Sequence, residues 1–350
     1  MPQAFFVIPG DLSSPTGGYA YDRRVLALAE KYEIDLRHLP LSGAWPAPTA
    51  EDIAAAAAAI AATPGDSILL IDGLAYGAMP TDLIRGFHRP VVALVHHPLG
   101  LEAGLNPARA QKFLQTEKEA LALAESIIVT SAITGKTLID DFGVSSEKII
   151  IAEPGVDEAP RAHGSGGMHI LAVGSVIPRK AYDVLIDAMA RIADRDWTLS
   201  IVGGLNYAPE TVAQVREMIS DHALDGRVKL LGALSADQLA SAYDGADLFV
   251  MSSLYEGYGM VATEALARGL PVVSTTGGAL ADTVPFECGL KVPPGDAIAF
   301  SDAVARMIDD HALRQRCADA AWAHAATLPR WSDTAAAIAS VLYEVMRGLR

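Results

Sequence analysis

Residues 247–264 read Asp247-Leu248-Phe249-Val250-Met251-Ser252-Ser253-Leu254-Tyr255-Glu256-Gly257-Tyr258-Gly259-Met260-Val261-Ala262-Thr263-Glu264. Leu248 to Met251 form an unbroken apolar run, as expected of a strand covered on both faces. Serines and glycines then break the pattern, and a helical period starts near Gly259 and continues to about residue 268. Strand, glycine-containing turn and helix start, in that order, leave free backbone N–H groups and the positive end of a helix dipole at the carboxyl edge of a parallel sheet. Anions bind well there.

The same alternation extends in both directions. Strands are predicted at 169–173, 198–202, 228–231, 248–251, 272–274 and 290–292, with helices at 181–193, 209–222, 236–243, 259–268 and 297–308. The first half carries strands at 5–8, 67–71, 91–95, 127–129 and 149–151, with helices at 18–31, 52–62, 107–124 and 133–141. This is an α/β chain of two Rossmann-like, doubly wound parallel-sheet domains, expected to face a cleft at their carboxyl edges. Residues 158–167 are rich in Pro, Ala, Gly and Ser and read as the linker, giving an N-terminal domain over 1–157 and a C-terminal one over 158–330. Helices at 311–326 and 331–349 close the chain. The last, within 331–350, has no strand to serve and is expected to cross back and pack on the N-terminal domain.

A length of 350 residues suits roughly two domains, and 51% hydrophobic with 20% charged residues suits a globular chain throughout. Acidic residues outnumber basic ones 42 to 27, and no lysine/arginine cluster could neutralise a run of phosphates, which excludes nucleic acid as a partner. Cys288 and Cys317 are too few for a disulfide framework and lack metal-ligand spacing. The apolar run at 4–8 is too short for a signal-peptide core, and the alanine-rich run at 53–62 is a short helix, so a cytoplasmic location is expected.

Glu256 precedes the predicted helix at Gly259 and Glu264 lies inside it. Carboxylates at an anion site suit a ligand that also offers hydroxyl donors beside its phosphates, and a nucleotide sugar meets both demands. On spacing alone the pair would equally serve as a loop charge and a solvated helix-face charge. Gly174-Ser175-Val176-Ile177-Pro178-Arg179-Lys180 joins another strand to a helix, and two cations at a helix start conflict with its dipole unless an anion meets them. Solvated surface cations are the plain alternative.

In the first domain Gly17-Gly18 stands at a helix start and permits close approach to a ligand, although it is not the Gly-x-Gly-x-x-Gly dinucleotide fingerprint. Strand 91–95 ends in His96-His97. Successive strand residues point to opposite faces, so at most one imidazole meets a ligand and the other is a buried, satisfied histidine. Asp72, at another strand end, has similar standing. Asp194-Arg195-Asp196 is formally an Asp-x-Asp metal pattern but sits away from any glycine turn, and no metal site is expected.

Together these segments resemble the family 4 (GT4) retaining glycosyltransferases of the GT-B fold, over nearly the whole chain. The resemblance is carried by Glu256-Gly-Tyr-Gly-Met-Val-Ala-Thr-Glu264, Gly174 with Arg179-Lys180, Gly203-Gly204, Gly269-Leu270-Pro271-Val272-Val273-Ser274 with Gly277-Gly278, and Glu153-Pro154-Gly155-Val156-Asp157. It implies that Glu264 takes the donor ribose and Glu256 the donor sugar, with Gly257, Tyr258, Gly259, Met260 and Val261 giving backbone donors. Arg179 and Lys180 become a diphosphate clamp, beside Gly174 and Gly203. Gly232, Ala233 and Leu234 lie by the base, Gly17 and Gly18 against phosphates or acceptor, and His96 or His97 near the transferred sugar.

The implied activity is metal-independent, cofactor-free hexosyl transfer with retention, from a nucleotide-diphosphate sugar to a hydroxyl of a glycan or glycolipid in cell-surface polysaccharide or glycolipid synthesis. Contact with the inner membrane face would be at most transient. The rival readings are a non-catalytic nucleotide-sugar-binding scaffold and a GT-B-fold epimerase.

Overall fold

A computed structural model describes residues 3–348. Residues 1, 2, 349 and 350, at the ends of the expected first domain and final helix, lie outside the described residues. The chain divides into two compact units, Met1–Gly155 with Pro329–Arg350, and Val156–Leu328.

The first unit contains β1 (Gln3–Pro9), α1 (Gly17–Leu28), β2 (Asp35–Leu41), α2 (Ala50–Ala61), β3 (Ile68–Asp72), α3 (Gly73–Tyr76), α4 (Thr81–Arg85), β4 (Val91–Val95), α5 (Pro107–Leu123), β5 (Ser126–Val129), α6 (Ala132–Asp140) and β6 (Ile149–Ile151). Its strands, all parallel, run in the order β2-β1-β3-β4-β5-β6. Strands β3 and β4 are buried along their whole length, which explains their unbroken apolar sequences. The order reverses between β1 and β3, and such a switch point opens a crevice at the carboxyl ends. Gly17-Gly18 follows β1, Asp72 ends β3, and His96 follows β4.

Strand β2 is absent from the sequence-based expectation. It is an edge strand, half exposed, and carries Asp35, Arg37, His38 and Pro40. An edge tolerates polar residues and proline, so the apolar signal is missing.

The second unit contains β7 (His169–Val173), α7 (Tyr182–Arg191), β8 (Thr198–Val202), α8 (Pro209–Asp221), β9 (Val228–Gly232), α9 (Ala236–Asp244), β10 (Leu248–Met251), α10 (Met260–Leu266), β11 (Val272–Thr275), α11 (Leu280–Thr283), β12 (Gly289–Val292), α12 (Ala297–Asp309) and α13 (His311–His324). Its parallel order is β12-β11-β10-β7-β8-β9, the doubly wound arrangement of a dinucleotide-type fold, with its switch point between β7 and β10. The Gly174 loop follows β7 and the Glu256 loop follows β10. One face of this sheet packs Trp197, Phe300 and Leu185, and the other packs Phe249, Leu266 and Leu280.

The stretch 158–167 has no regular structure but is no free linker. Ala162 N–H donates to the Arg268 carbonyl, Gly164 N–H to the Asp244 carbonyl, and Ser165 N–H to Asp247 Oδ1, all within the second unit. Low periodicity signalled the lack of regular structure and could not show these long-range bonds.

The final helix, α14 (Trp331–Met346), is part of the first unit. Trp331 meets Tyr21 edge to face at 5.8 Å, the Thr334 hydroxyl donates to the Glu153 carbonyl at 2.7 Å, and the Tyr32 hydroxyl donates to the Ser332 carbonyl. Gly155 passes so close to the helix start that a Cβ there would lie 2.1 Å from the Trp331 nitrogen. Gly155→Ala is therefore expected to destabilise the fold by roughly 3 kcal/mol. Urea unfolding checks this, and an unchanged midpoint would show that the contact relaxes without penalty.

Candidate functional site

In the second unit, the loops after β7 and β10 are stitched together by backbone. Leu254 N–H donates to the Arg179 carbonyl at 2.8 Å and the Ser252 hydroxyl to the Lys180 carbonyl at 2.8 Å. Pro178–Lys180 forms a short 3-10 turn, Ala181 adopts φ 48°, and only then does α7 begin. Arg179 and Lys180 thus precede the helix and do not occupy its first turn. The anion that answers them here belongs to the chain itself. Glu256 Oε1 lies 2.6 Å from Lys180 Nζ and Oε2 lies 3.0 Å from the Arg179 guanidinium, which also donates to the Tyr255 carbonyl at 2.9 Å.

Glu256 is only 7% exposed. Burial alone would raise its pKa, but the fields of Lys180 and Arg179 prevail and hold it at about 2. It is a permanent carboxylate at neutral pH. Its backbone is clamped as well: Glu256 N–H donates to the Gly277 carbonyl and its own carbonyl accepts from Ala279 N–H. A Cβ on Gly278 (φ 61°) would lie 2.4 Å from the Glu256 carbonyl oxygen, which accounts for the Gly277-Gly278 pair.

The neighbouring loops are laterally bonded. Gly174 N–H donates to the Val202 carbonyl and Gly203 N–H to the Gly232 carbonyl; a Cβ on Gly203 would lie 2.0 Å from the Gly174 oxygen. Gly174, Gly203 and Gly232 thus share one edge of the sheet. Ala233 is exposed and Leu234 half-buried just before α9. Gly257 and Tyr258 are buried, and Gly259, at φ 98°, turns the chain into α10. Helix α10 spans Met260–Leu266, shorter than the 259–268 expected, with Met260 and Val261 in its first turn. Glu264 lies in its second turn, half-buried, accepting from the Tyr243 hydroxyl at 2.8 Å.

Gly17, Gly18, His96 and His97 lie in the first unit. Gly17 opens α1, capped by Thr16, and a Cβ on Gly18 would come within 3.5 Å of the His96 ring. His96 Nε2 lies 3.2 Å from Asp22 Oδ1 and 3.5 Å from Asp72 Oδ2, and the ring meets Tyr21 edge to face at 5.1 Å. His97 Nε2 lies 3.6 Å from Glu102 Oε2. Burial works against a charge on His96, but the hydrogen bond and field of Asp22, with the field of Asp72, prevail, so its pKa stands above the ordinary histidine range. Burial, reinforced by Asp22, raises Asp72 to about 7. Ligand atoms of Asp22, Asp72 and His96 lie within 4.8 Å of one another, a spacing that could hold a metal ion. The His96 Nε2 thus lies within reach of two buried acid side chains. Asp194 and Asp196 are exposed, and the half-buried Arg195 between them is paired to Asp194 and Asp309.

Asp22 and Tyr243 went unremarked in the sequence. Asp22 is fully buried beside Tyr21 and Val25, and a carboxylate interrupting a helix's apolar stripe is the signal that could have found it. Tyr243 had none, since a tyrosine closing a helix is ordinary core.

Residues 157–324 match the family described as Glycosyl transferases group 1. The second unit is of the group 1 glycosyl transferase type. This glycosyltransferase is 27% identical over 332 residues to the MMP alpha-(1->4)-mannosyltransferase of Mycolicibacterium hassiacum, covering 89% of the chain and 79% of that protein. It is 33% identical over 253 residues to the D-inositol 3-phosphate glycosyltransferase of Pseudarthrobacter chlorophenolicus, covering 67% of the chain and 59% of that protein. The sucrose-phosphate synthase of Thermosynechococcus elongatus shares its fold with a TM-score of 0.85 at 22% identity, covering 99% of this chain and all of that one. Anabaena HepE, solved with UDP and glucose, gives 0.78 at 18%, covering 98% and 100%. The fold is GT-B. Among the described residues no helix is long and apolar enough to cross a membrane.

The glycosyltransferase's buried ion trio should be sensitive to loss of its carboxylate. Glu256→Gln leaves two cations facing a neutral amide and is expected to lose about 3 kcal/mol of stability at pH 7. Because the folded pKa of Glu256 lies below its ordinary 4.5, its contribution is present above that pH and lost as pH falls toward 2. The gap between wild type and variant should narrow by roughly 1 kcal/mol at pH 3.5. Urea titrations at stepped pH read both, and a gap independent of pH would contradict the assignment.

Proposed function

We propose that this glycosyltransferase moves a hexose-type sugar from a nucleotide-diphosphate sugar to a hydroxyl of a glycan or glycolipid acceptor, with retention of anomeric configuration and without a metal. The observation that carries the reading is the convergence of Arg179, Lys180 and Glu256 at the switch point of the second sheet. Two fixed cations suit the two negative phosphates of such a donor, and their positive charge can stabilise the charge that grows on the leaving diphosphate. That role asks nothing of a metal ion. Solved UDP and UDP-glucose complexes of Anabaena HepE, a protein of the same fold, support the donor class.

Glu256 then acts as a hydrogen-bond acceptor for sugar hydroxyls. A carboxylate with a pKa of about 2 is a poor proton acceptor at neutral pH, and both its oxygens are held by cations, so it suits neither general base nor nucleophile. This favours attack on the face the diphosphate leaves, with the departing phosphate taking the acceptor proton. Glu264 takes the ribose hydroxyls. In the first unit, His96 is the imidazole whose pKa Asp22 and Asp72 raise, and it is assigned to the transferred sugar. Contact with a membrane face is limited to meeting a lipid-linked acceptor.

Thermal-shift measurements with UDP, GDP, ADP, TDP and their sugar conjugates, in the presence of EDTA, test the donor reading. One base should raise the melting temperature by several degrees, as expected of a ligand at about 100 times its Kd. The shift should shrink in Glu264→Ala. No stabilisation by any of them would remove the basis for a nucleotide-sugar donor. Once donor and acceptor are matched, the anomeric configuration of the product by NMR settles the stereochemistry, and inversion would exclude same-face attack.

A further inference from the structure

Tyr243 lies at the end of α9 with its ring 1% exposed. The ring stacks on Phe249 of β10 at 5.9 Å between centroids, and the Arg268 guanidinium lies 4.6 Å from its centroid. Its helix is firmly started: Ser235 and Gln238 cap it reciprocally, directly after the Gly232–Leu234 loop. The tyrosine is thus held by packing and by a capped helix.

Its hydroxyl lies 2.8 Å from Glu264 Oε2 and 3.3 Å from the Val261 carbonyl. A phenol has one proton to donate, and the shorter, charge-assisted contact takes it. Burial, together with the Glu264 charge, raises the phenol pKa well above the ordinary tyrosine range, so the proton stays in place at any working pH. Arg268, from the other side, donates to the Glu264 backbone carbonyl at 2.9 Å. A glutamate side chain ordinarily loses considerable rotamer freedom when a ligand fixes it, and a carboxylate already held by a rigid donor loses less.

We propose that Tyr243 is a positioning residue that presets the Glu264 carboxylate to accept hydrogen bonds from ribose hydroxyls, and so sets a preference for ribonucleotide over deoxyribonucleotide donors. The proposal rests on the nucleotide-sugar reading above. Tyr243 touches no substrate and acts only through Glu264. Its effect should therefore follow the sugar hydroxyls of the nucleotide and spare the diphosphate.

The test measures binding of UDP, GDP and ADP and of their 2′,3′-dideoxy counterparts by calorimetry to wild type, Tyr243→Phe, Glu264→Ala and the double variant. Tyr243→Phe keeps the ring between Phe249 and Arg268. For the ribonucleotide that wild type prefers, Tyr243→Phe should weaken binding about tenfold, the scale of one hydrogen bond to a charged group. The dideoxy counterpart should bind both proteins alike, and adding the tyrosine change to Glu264→Ala should cost nothing further. Should Tyr243→Phe not fold, Tyr243→His, which retains a ring N–H donor, replaces it with a smaller loss expected on the same ligands. Equal weakening of ribo and dideoxy ligands, or no weakening, overturns the proposal while leaving the donor reading intact. Failure of wild type to bind any of the three ribonucleotides overturns the donor reading and this proposal with it.

Discussion

Three charged side chains meet in the second unit, Glu256 buried and Arg179 and Lys180 partly so, and the shape of the site follows from that constraint. Taking Glu256 out of water costs several kcal/mol, which the two partly buried cations offset, and the arrangement holds only while every partner is in place. The partners come from loops 76 residues apart in sequence, the separation of Lys180 and Glu256. Two hydrogen bonds, from the Leu254 N–H and the Ser252 hydroxyl, fix the loops in register, and the glycines at 277 and 278 let a third loop close over the Glu256 backbone. The trio explains why the turn Pro178–Lys180 stands apart from α7. Cations in the first helical turn would oppose the dipole, whereas a separate turn can aim them at the carboxylate.

The first unit solves a related problem with the opposite charge balance. There one imidazole stands between two buried carboxylates at the switch point of its own sheet, and Asp22 Oδ2 has no hydrogen-bond partner among the described residues. Burial raises Asp22 and, with the Asp22 charge, Asp72, while the hydrogen bond and field of Asp22 and the field of Asp72 raise His96 against its own burial. The ring is held by Tyr21, which also packs on Trp331 of the final helix and donates its hydroxyl to the Ala152 carbonyl. The C-terminal helix thereby supports a candidate site residue more than 200 positions away in the chain.

Legibility varied with how a residue is surrounded. Strands such as β3, β4 and β10 are covered on both faces and announce themselves as unbroken apolar runs, so the two-sheet α/β reading came from sequence alone. β2 stayed hidden because an edge strand has one free side and carries Asp35, Arg37 and Pro40 without penalty. The stretch 158–167 looked like a free linker because its bonds to Arg268, Asp244 and Asp247 leave no local pattern. Glu256 and Glu264 were readable because the turn between strand and helix gave their spacing a meaning.

Local pattern thus determined the fold class, the loops at the carboxyl edges and the residue types gathered there. Periodicity and turn chemistry act over a few residues, and so they survive in one dimension. Tertiary structure alone decided which partner each charge has. That Glu256 answers Arg179 and Lys180, that His96 turns to Asp22 and Asp72, and that Tyr243 holds Glu264 all depend on crossovers bringing distant strand ends together. Electrostatic and hydrogen-bond energies fall steeply with distance and depend on burial, quantities that a linear spacing does not carry.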